Sequence, residues 1–312
     1  MIYKVAIALV CIMSFSSATA AGKNRIRFKI SVELAKTEYK EFEPIDILIN
    51  CKNAGSISDS LFSFDFNFFN GYMRCCLTNE NGVEFKSKDI TRDLILGFRP
   101  DWILAPGDSM LFNQEINTCG NILNKSDSSY FTGYFLPPGN YTGYLYWNQT
   151  YRTWLSDGIR GLDAESITKK SNEFHFTVYS ADAYDMQVLK KMKNSGVDTV
   201  LNQHQFNEYK EYMYRERFRN IYISQEDTVS KTKAMMDFIN DYFSSYPDSY
   251  YCLNYIYRYI IFESPKDEIV IESKINDLVE KYKGTIIERY LNNHLIRSDL
   301  INGIMNDKFV KF

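Results

Sequence analysis

Arg25-Ile26-Arg27-Phe28-Lys29-Ile30-Ser31-Val32-Glu33-Leu34 decides the fold of the first half of this chain. Ile26, Phe28, Ile30, Val32 and Leu34 fall on one side of an extended backbone. Arg25, Arg27, Lys29, Ser31 and Glu33 fall on the other. Successive side chains of a strand point to opposite faces, so this alternation predicts a strand with one face buried and one solvated. The pattern returns after Pro44 as Ile45, Ile47, Ile49 and Cys51, and Asn53-Ala54-Gly55 stops it.

Further strands are expected over residues 61–69 and 72–77, both rich in aromatic residues, and over 110–116. The last expected strand is Phe174, Phe176 and Val178, alternating with Glu173, His175 and Thr177. Glu80-Asn81-Gly82 supplies an Asn-Gly turn that favours a hairpin, and Pro106-Gly107-Asp108 supplies another turn. Short strands at this spacing, broken by turn residues, imply an antiparallel β-sandwich with Greek-key connections.

Leu136-Pro137-Pro138-Gly139-Asn140-Tyr141 resembles the tyrosine corner of immunoglobulin-like domains. In that corner a Tyr near the start of a late strand bonds back to upstream backbone. Antibody domains carry a Cys two residues further on, and Gly143 stands there instead. With Glu43-Pro44-Ile45 and the turn at 106–107, residues 24–179 resemble the immunoglobulin-like domains of exported bacterial proteins.

After about Ser180 the period changes to helical. Asp182 is placed to cap a helix carrying Tyr184 and Val188, which Asn194-Ser195-Gly196 ends. A second helix is expected over 206–218, where Glu211 and Arg215 form an i,i+4 pair. A repeat follows at an offset of 36 residues: Ile239-Asn240-Asp241 returns as Ile275-Asn276-Asp277, Tyr246 as Tyr282, and Ser249 as Thr285. Tyr246-Pro247-Asp248-Ser249 resembles the inter-helix turn of tetratricopeptide-type repeats, whose period is near 34. The expected C-terminal domain, residues 181–312, is therefore all-helical, with repeat units at 237–260 and 273–296.

Residues 1–20 form an expected signal peptide: Lys4, an apolar run over 5–15, then Ala18-Thr19-Ala20, with cleavage after Ala20. The apolar run is too short to span a bilayer, and no later stretch is apolar enough for a membrane span. Export permits disulfides. Five cysteines follow the leader: Cys51, Cys75, Cys76, Cys119 and Cys252. Adjacent residues face opposite sides of a strand, so only one of Cys75 and Cys76 is expected to point inward, and it is the candidate to bridge Cys119. Burial of all five as small apolar side chains explains them equally well.

The 312 residues hold 36 Lys+Arg and 39 Asp+Glu, and residues 181–312 alone hold 18 and 20. No basic region is present to attract nucleic acid. The phosphate-loop, dinucleotide and nucleophile-elbow motifs are missing, as is His-Glu-x-x-His. Three histidines, His175, His204 and His294, are far apart in sequence, and no metal or cofactor is expected. The carboxylate pairs at Asp182/Asp185, Glu226-Asp227 and Asp267-Glu268 stand at helix starts, where negative charge is favoured.

The strongest functional candidate is the connection over residues 149–171, long for a compact domain. It carries Tyr151, Arg152, Trp154 and Arg160, residue types that anchor interfaces and stack on sugar rings. Trp147 is expected in the core and Trp102 as a core plug. The function expected from sequence is that of an exported, non-enzymatic protein of the cell envelope or surface that binds a protein partner. A glycan-binding module using the 149–171 loop is the alternative, and a hydrolase with its site at the domain junction is the third reading.

Overall fold

The computed structural model describes residues 28–41, 43–61, 73–86, 102–116, 136–150, 166–195, 210–223, 228–263 and 267–305. β-Sheet occupies the N-terminal part and helices the C-terminal part. Three strands, β1 (Phe28–Leu34), β3 (Asp46–Asn53) and β8 (Ser109–Glu115), form one antiparallel sheet in the order β1-β3-β8. A second sheet runs β2 (Glu38–Lys40), β11 (Phe174–Tyr179), β9 (Gly139–Thr150), β5 (Met73–Asn79), β6 (Glu84–Lys86). β10 (Ser166–Lys170) adds to β9, and β4 (Asp59–Leu61) pairs with β7 (Trp102–Leu104). The sheets are mixed, because β2 runs parallel to β11.

The alternation in the sequence maps onto burial. Phe28, Ile30 and Val32 of β1 are buried while Lys29 and Glu33 are exposed or edge-on. Tyr141, Leu145 and Trp147 form the buried side of β9. The Trp147 ring lies 5.6 Å from that of Phe28, so the two sheets share one apolar core. Trp102 packs at the edge of that core against Phe112, at 5.5 Å.

The 136–141 segment closes as its sequence suggests. The Tyr141 hydroxyl donates to the Pro137 carbonyl at 2.6 Å, and its ring stacks on Phe176 at 5.3 Å. At Gly143 a Cβ would stand 2.5 Å from the Phe174 ring and 2.6 Å from Leu77. Glycine is therefore required by the close approach of those two side chains over β9. The Asn-Gly turn ends β5 as a loop slightly longer than two residues: Asn79 Oδ1 accepts from Asn81 N and Val83 N, and Gly82 takes φ +76°. Between β10 and β11 the ladder breaks, and side chains replace it. Ser171 Oγ accepts from Leu145 N, while the Asn172 amide pairs with both Val32 N and Val32 O of the other sheet.

Among the described residues seven α-helices follow: α1 (Ala183–Ser195), α2 (Lys210–Ile223), α3 (Thr228–Ser245), α4 (Leu253–Glu263), α5 (Glu268–Lys281), α6 (Ile286–Leu291) and α7 (His294–Met305). Asp182 and Asp185 cap α1 reciprocally, each carboxylate accepting the other's backbone N–H at 2.8 and 2.9 Å. Asp267 caps α5 through Ile269 N and Val270 N. Both carboxylate pairs stand at helix starts, with Glu268 in the first turn of α5; Glu226-Asp227 lies outside the described residues. The 36-residue repeat is visible as two turns with the same backbone bonds. Tyr246 N donates to Tyr242 O and Ser249 N to Tyr246 O; Tyr282 N donates to Leu278 O and Thr285 N to Tyr282 O.

Ser249 caps a 3-10 turn (Tyr250–Cys252) through Tyr251 N, and that turn seats on β3. The Tyr250 hydroxyl donates to Leu34 O, and Asn293 donates to Ser109 O at 2.6 Å. The helices thus cover the face of the three-stranded sheet that points away from the other sheet. Buried side chains run without a break from one part into the other.

Candidate functional site

Where β3 meets α2 the interface turns polar. Asp46, the first residue of β3, is buried, and so is Arg215, near the middle of α2. The guanidinium grips Asp46 with both terminal nitrogens, NH1 to Oδ1 at 3.2 Å and NH2 to Oδ2. NH2 also donates to Glu211 Oε1 at 2.7 Å, one turn back on the same helix. NH1 lies 3.6 Å from Glu115 Oε2 at the end of β8. The Tyr251 ring sits 4.1 Å from the guanidinium carbon, a cation–π contact from the 3-10 turn.

Glu211 is held from further away. Tyr242 of α3 donates to Oε1 at 2.9 Å and Ser249 donates to the same atom at 2.6 Å. Five elements (β3, β8, α2, α3 and the 3-10 turn) therefore meet around one cation.

The electrostatics follow from this crowding. Burial pushes the Asp46 carboxyl above its ordinary value, against the opposing pull of Arg215. Burial also acts on Glu211, but Arg215 and the bonds from Ser249 and Tyr242 outweigh it and hold Glu211 below the usual range. Burial works against the charge on Arg215, and the surrounding carboxylates, Asp46 foremost, overcome it, so the guanidinium stays protonated. Burial likewise raises the Tyr242 phenol well above its usual value.

Beside this cluster lies a cleft of about 350 Å³. Lys36, Tyr39 and Glu43 wall it on the β side; Tyr212, Tyr246 and Asp248 wall it on the helical side. Lys36 pairs with Glu43 at its mouth and lies 5.0 Å over the Tyr39 ring. A second, more open depression of about 510 Å³ lies on the outer face of the larger sheet, where Thr142 Oγ1 and His175 Nδ1 are 3.0 Å apart. Its other side chains, among them Thr78, Asn140 and Thr177, are the ordinary solvated face of a sheet.

The loop residues singled out from sequence, Tyr151, Arg152, Trp154 and Arg160, lie outside the described residues, as do Cys119, His204 and the expected cleavage point after Ala20. Trp147 is in the core, as its alternation predicts. Cys75 and Cys76 are both buried. Cys75 sits in the core. Cys76 stands opposite Tyr144 of β9 and outside the core cluster. Cys51 and Cys252 are buried as well. His175 and His294 are on the surface, the latter 3.6 Å from Asp108. Among the described residues no group of three His, Cys, Asp or Glu side chains is placed to hold a metal ion, and no helix is long and apolar enough to cross a membrane.

Sequence reasoning missed Asp46 and the depth of Arg215. Glu211–Arg215 reads as a surface i,i+4 pair, and α2 carries too little apolar periodicity to show which side is covered. One signal was present. Leu48, between Asp46 and Asn50 on the outward side of β3, implies cover on both faces of that strand.

No protein-family model matches the chain, and no curated protein matches it. Among solved structures it is similar to the CARDB domain of the PF1109 protein from Pyrococcus furiosus, at 9% identity over 49% of this chain and 89% of that one, with a TM-score of 0.21. It is also similar to the sporulation control protein Spo0M from Bacillus subtilis, at 12% identity over 54% and 55%, with a TM-score of 0.24. Likenesses this distant carry no argument about activity.

Proposed function

We propose that this is an exported, non-enzymatic binding protein of the cell envelope or surface that engages a protein partner at the cleft between its β and helical parts. The observation that carries the reading is the bonding of the junction carboxylates. Asp46 is gripped at both oxygens by Arg215, and Glu211 Oε1 takes donors from Arg215, Tyr242 and Ser249. Carboxylates so engaged shape and stiffen a cleft instead of delivering protons to a substrate.

In the same reading the β part is an immunoglobulin-like sandwich, supported by the Tyr141–Pro137 bond and the two-sheet core. The helical part is tetratricopeptide-like, supported by the matched turns at 246–249 and 282–285. Residues 1–20 direct export.

The hydrolase reading is favoured by one observation, the convergence of Asp46, Glu211 and Glu115 beside a cleft with their proton affinities displaced in opposite directions for Asp46 and Glu211. The glycan-binding reading still rests on Trp154.

Site-specific photo-crosslinkers at Lys36 and Asp248, in cells expressing the full chain, test the proposal. A discrete protein adduct from both positions, absent with a crosslinker at Lys274 on α5, is the expected result. No adduct, together with glycan-array binding that Trp154→Ala abolishes, replaces it with the glycan alternative. Glycoside turnover that Glu211→Gln abolishes replaces it with the hydrolase.

A further inference from the structure

We propose that the Asp46–Arg215–Glu211 network is an orientation lock: it fixes the angle between the β part and the helices and adds little to the stability of either. The argument begins with cost. Burial is the largest influence on all three groups and opposes the charged form of each. Buried ion pairs of this kind are often no more stabilising than apolar side chains of similar volume. Apolar packing was available here, since the core is continuous across the junction on either side of Arg215. Ile47 and Leu48 follow Asp46 directly, and both are buried.

Direction is what the network supplies and apolar contact does not. Two parallel bonds to Asp46 align the guanidinium plane with the carboxylate of β3. The Tyr251 ring blocks one face of that plane. Glu211 fixes the arginine side chain from its own helix, and Tyr242 and Ser249 fix Glu211 in turn. A rotation of the helices relative to β3 breaks several charge-assisted bonds at once, and those between Asp46 and Arg215 join two buried side chains. Apolar contacts carry no bond direction of their own and repack in more than one arrangement of similar volume. The rim pair Arg289–Glu33 lacks this directionality, since its side chains are 46% and 52% exposed.

Spin labels at Lys52 on β3 and Glu272 on α5, both exposed, report the angle as a distance distribution in the full chain. In the triple variant Asp46→Leu/Arg215→Met/Glu211→Gln, the expected result is a melting temperature within about 3 °C of the parent with a distribution about twice as broad. Arg215→Lys keeps the charge but loses the fork and the planar stacking, and should broaden the distribution with helical and sheet circular dichroism unchanged. A narrow, unshifted distribution in both variants overturns the proposal. So does a triple variant that fails to fold beside an Arg215→Lys protein as narrow as the parent.

Discussion

The β core around Trp147 and the junction around Arg215 are both buried, and they are built on opposite principles. Around Trp147 shape complementarity does the work: Phe28 packs on the indole, and Phe174 and Leu77 close over Gly143. At Arg215 three carboxylates surround one cation, and bond direction does the work. A core of the first kind tolerates small rotations and punishes changes of volume. A core of the second kind tolerates coordinated replacement and punishes the loss of a single partner.

Single truncations should be costly in both regions, for different reasons. Trp147→Ala leaves a cavity and should cost about 3–5 kcal/mol. Arg215→Ala leaves Asp46 buried without its cation and should cost about the same. Urea unfolding measures both. The comparison breaks if Arg215→Ala is nearly silent.

Next in size is Gly143→Ala, which drives a methyl into Phe174 and Leu77 and should cost about 1–3 kcal/mol. Tyr141→Phe removes the bond to Pro137 O and should cost about 0.5–1.5 kcal/mol; thermal unfolding resolves either. Smallest is Arg289→Ala, a rim pair exposed on both sides, for which less than about 1 kcal/mol is expected.

Acid sharpens the contrast further, because the junction holds two carboxylates displaced in opposite directions. Glu211 lies below its ordinary value of 4.5 in the folded protein, so its stabilisation is complete above that value and is lost as pH falls through and below it. Asp46 lies above its ordinary value of 3.8, so the folded form takes up that proton first and the Asp46 contribution favours folding as pH falls. Glu211→Gln should therefore flatten the acid loss of stability, and Asp46→Asn should steepen it. Urea midpoints between pH 6 and pH 3 read both effects, and identical acid slopes in the two variants would contradict these assignments.

The same contrast explains what the sequence reveals. Alternation at 28–34 and at 141–147 reports burial on one face, because a strand has only two faces and its neighbours in space share its period. The Tyr141 back-bond, the caps at Asp182 and Asp267 and the paired turns at 246 and 282 are local, made within a few residues, and the sequence carries them. Asp46 and Arg215 are 169 residues apart, and nothing local distinguishes a buried Arg215 from the exposed Arg of any helical i,i+4 pair.

The account rests on the claim that the junction network positions the two parts while the apolar core stabilises them. The most direct test compares the urea stability of Arg215→Ala with that of the Asp46→Leu/Arg215→Met/Glu211→Gln variant. The account predicts a loss of about 3–5 kcal/mol in the first and nearly none in the second. A triple variant as unstable as Arg215→Ala would show that the charges themselves hold the molecule together, and would contradict it.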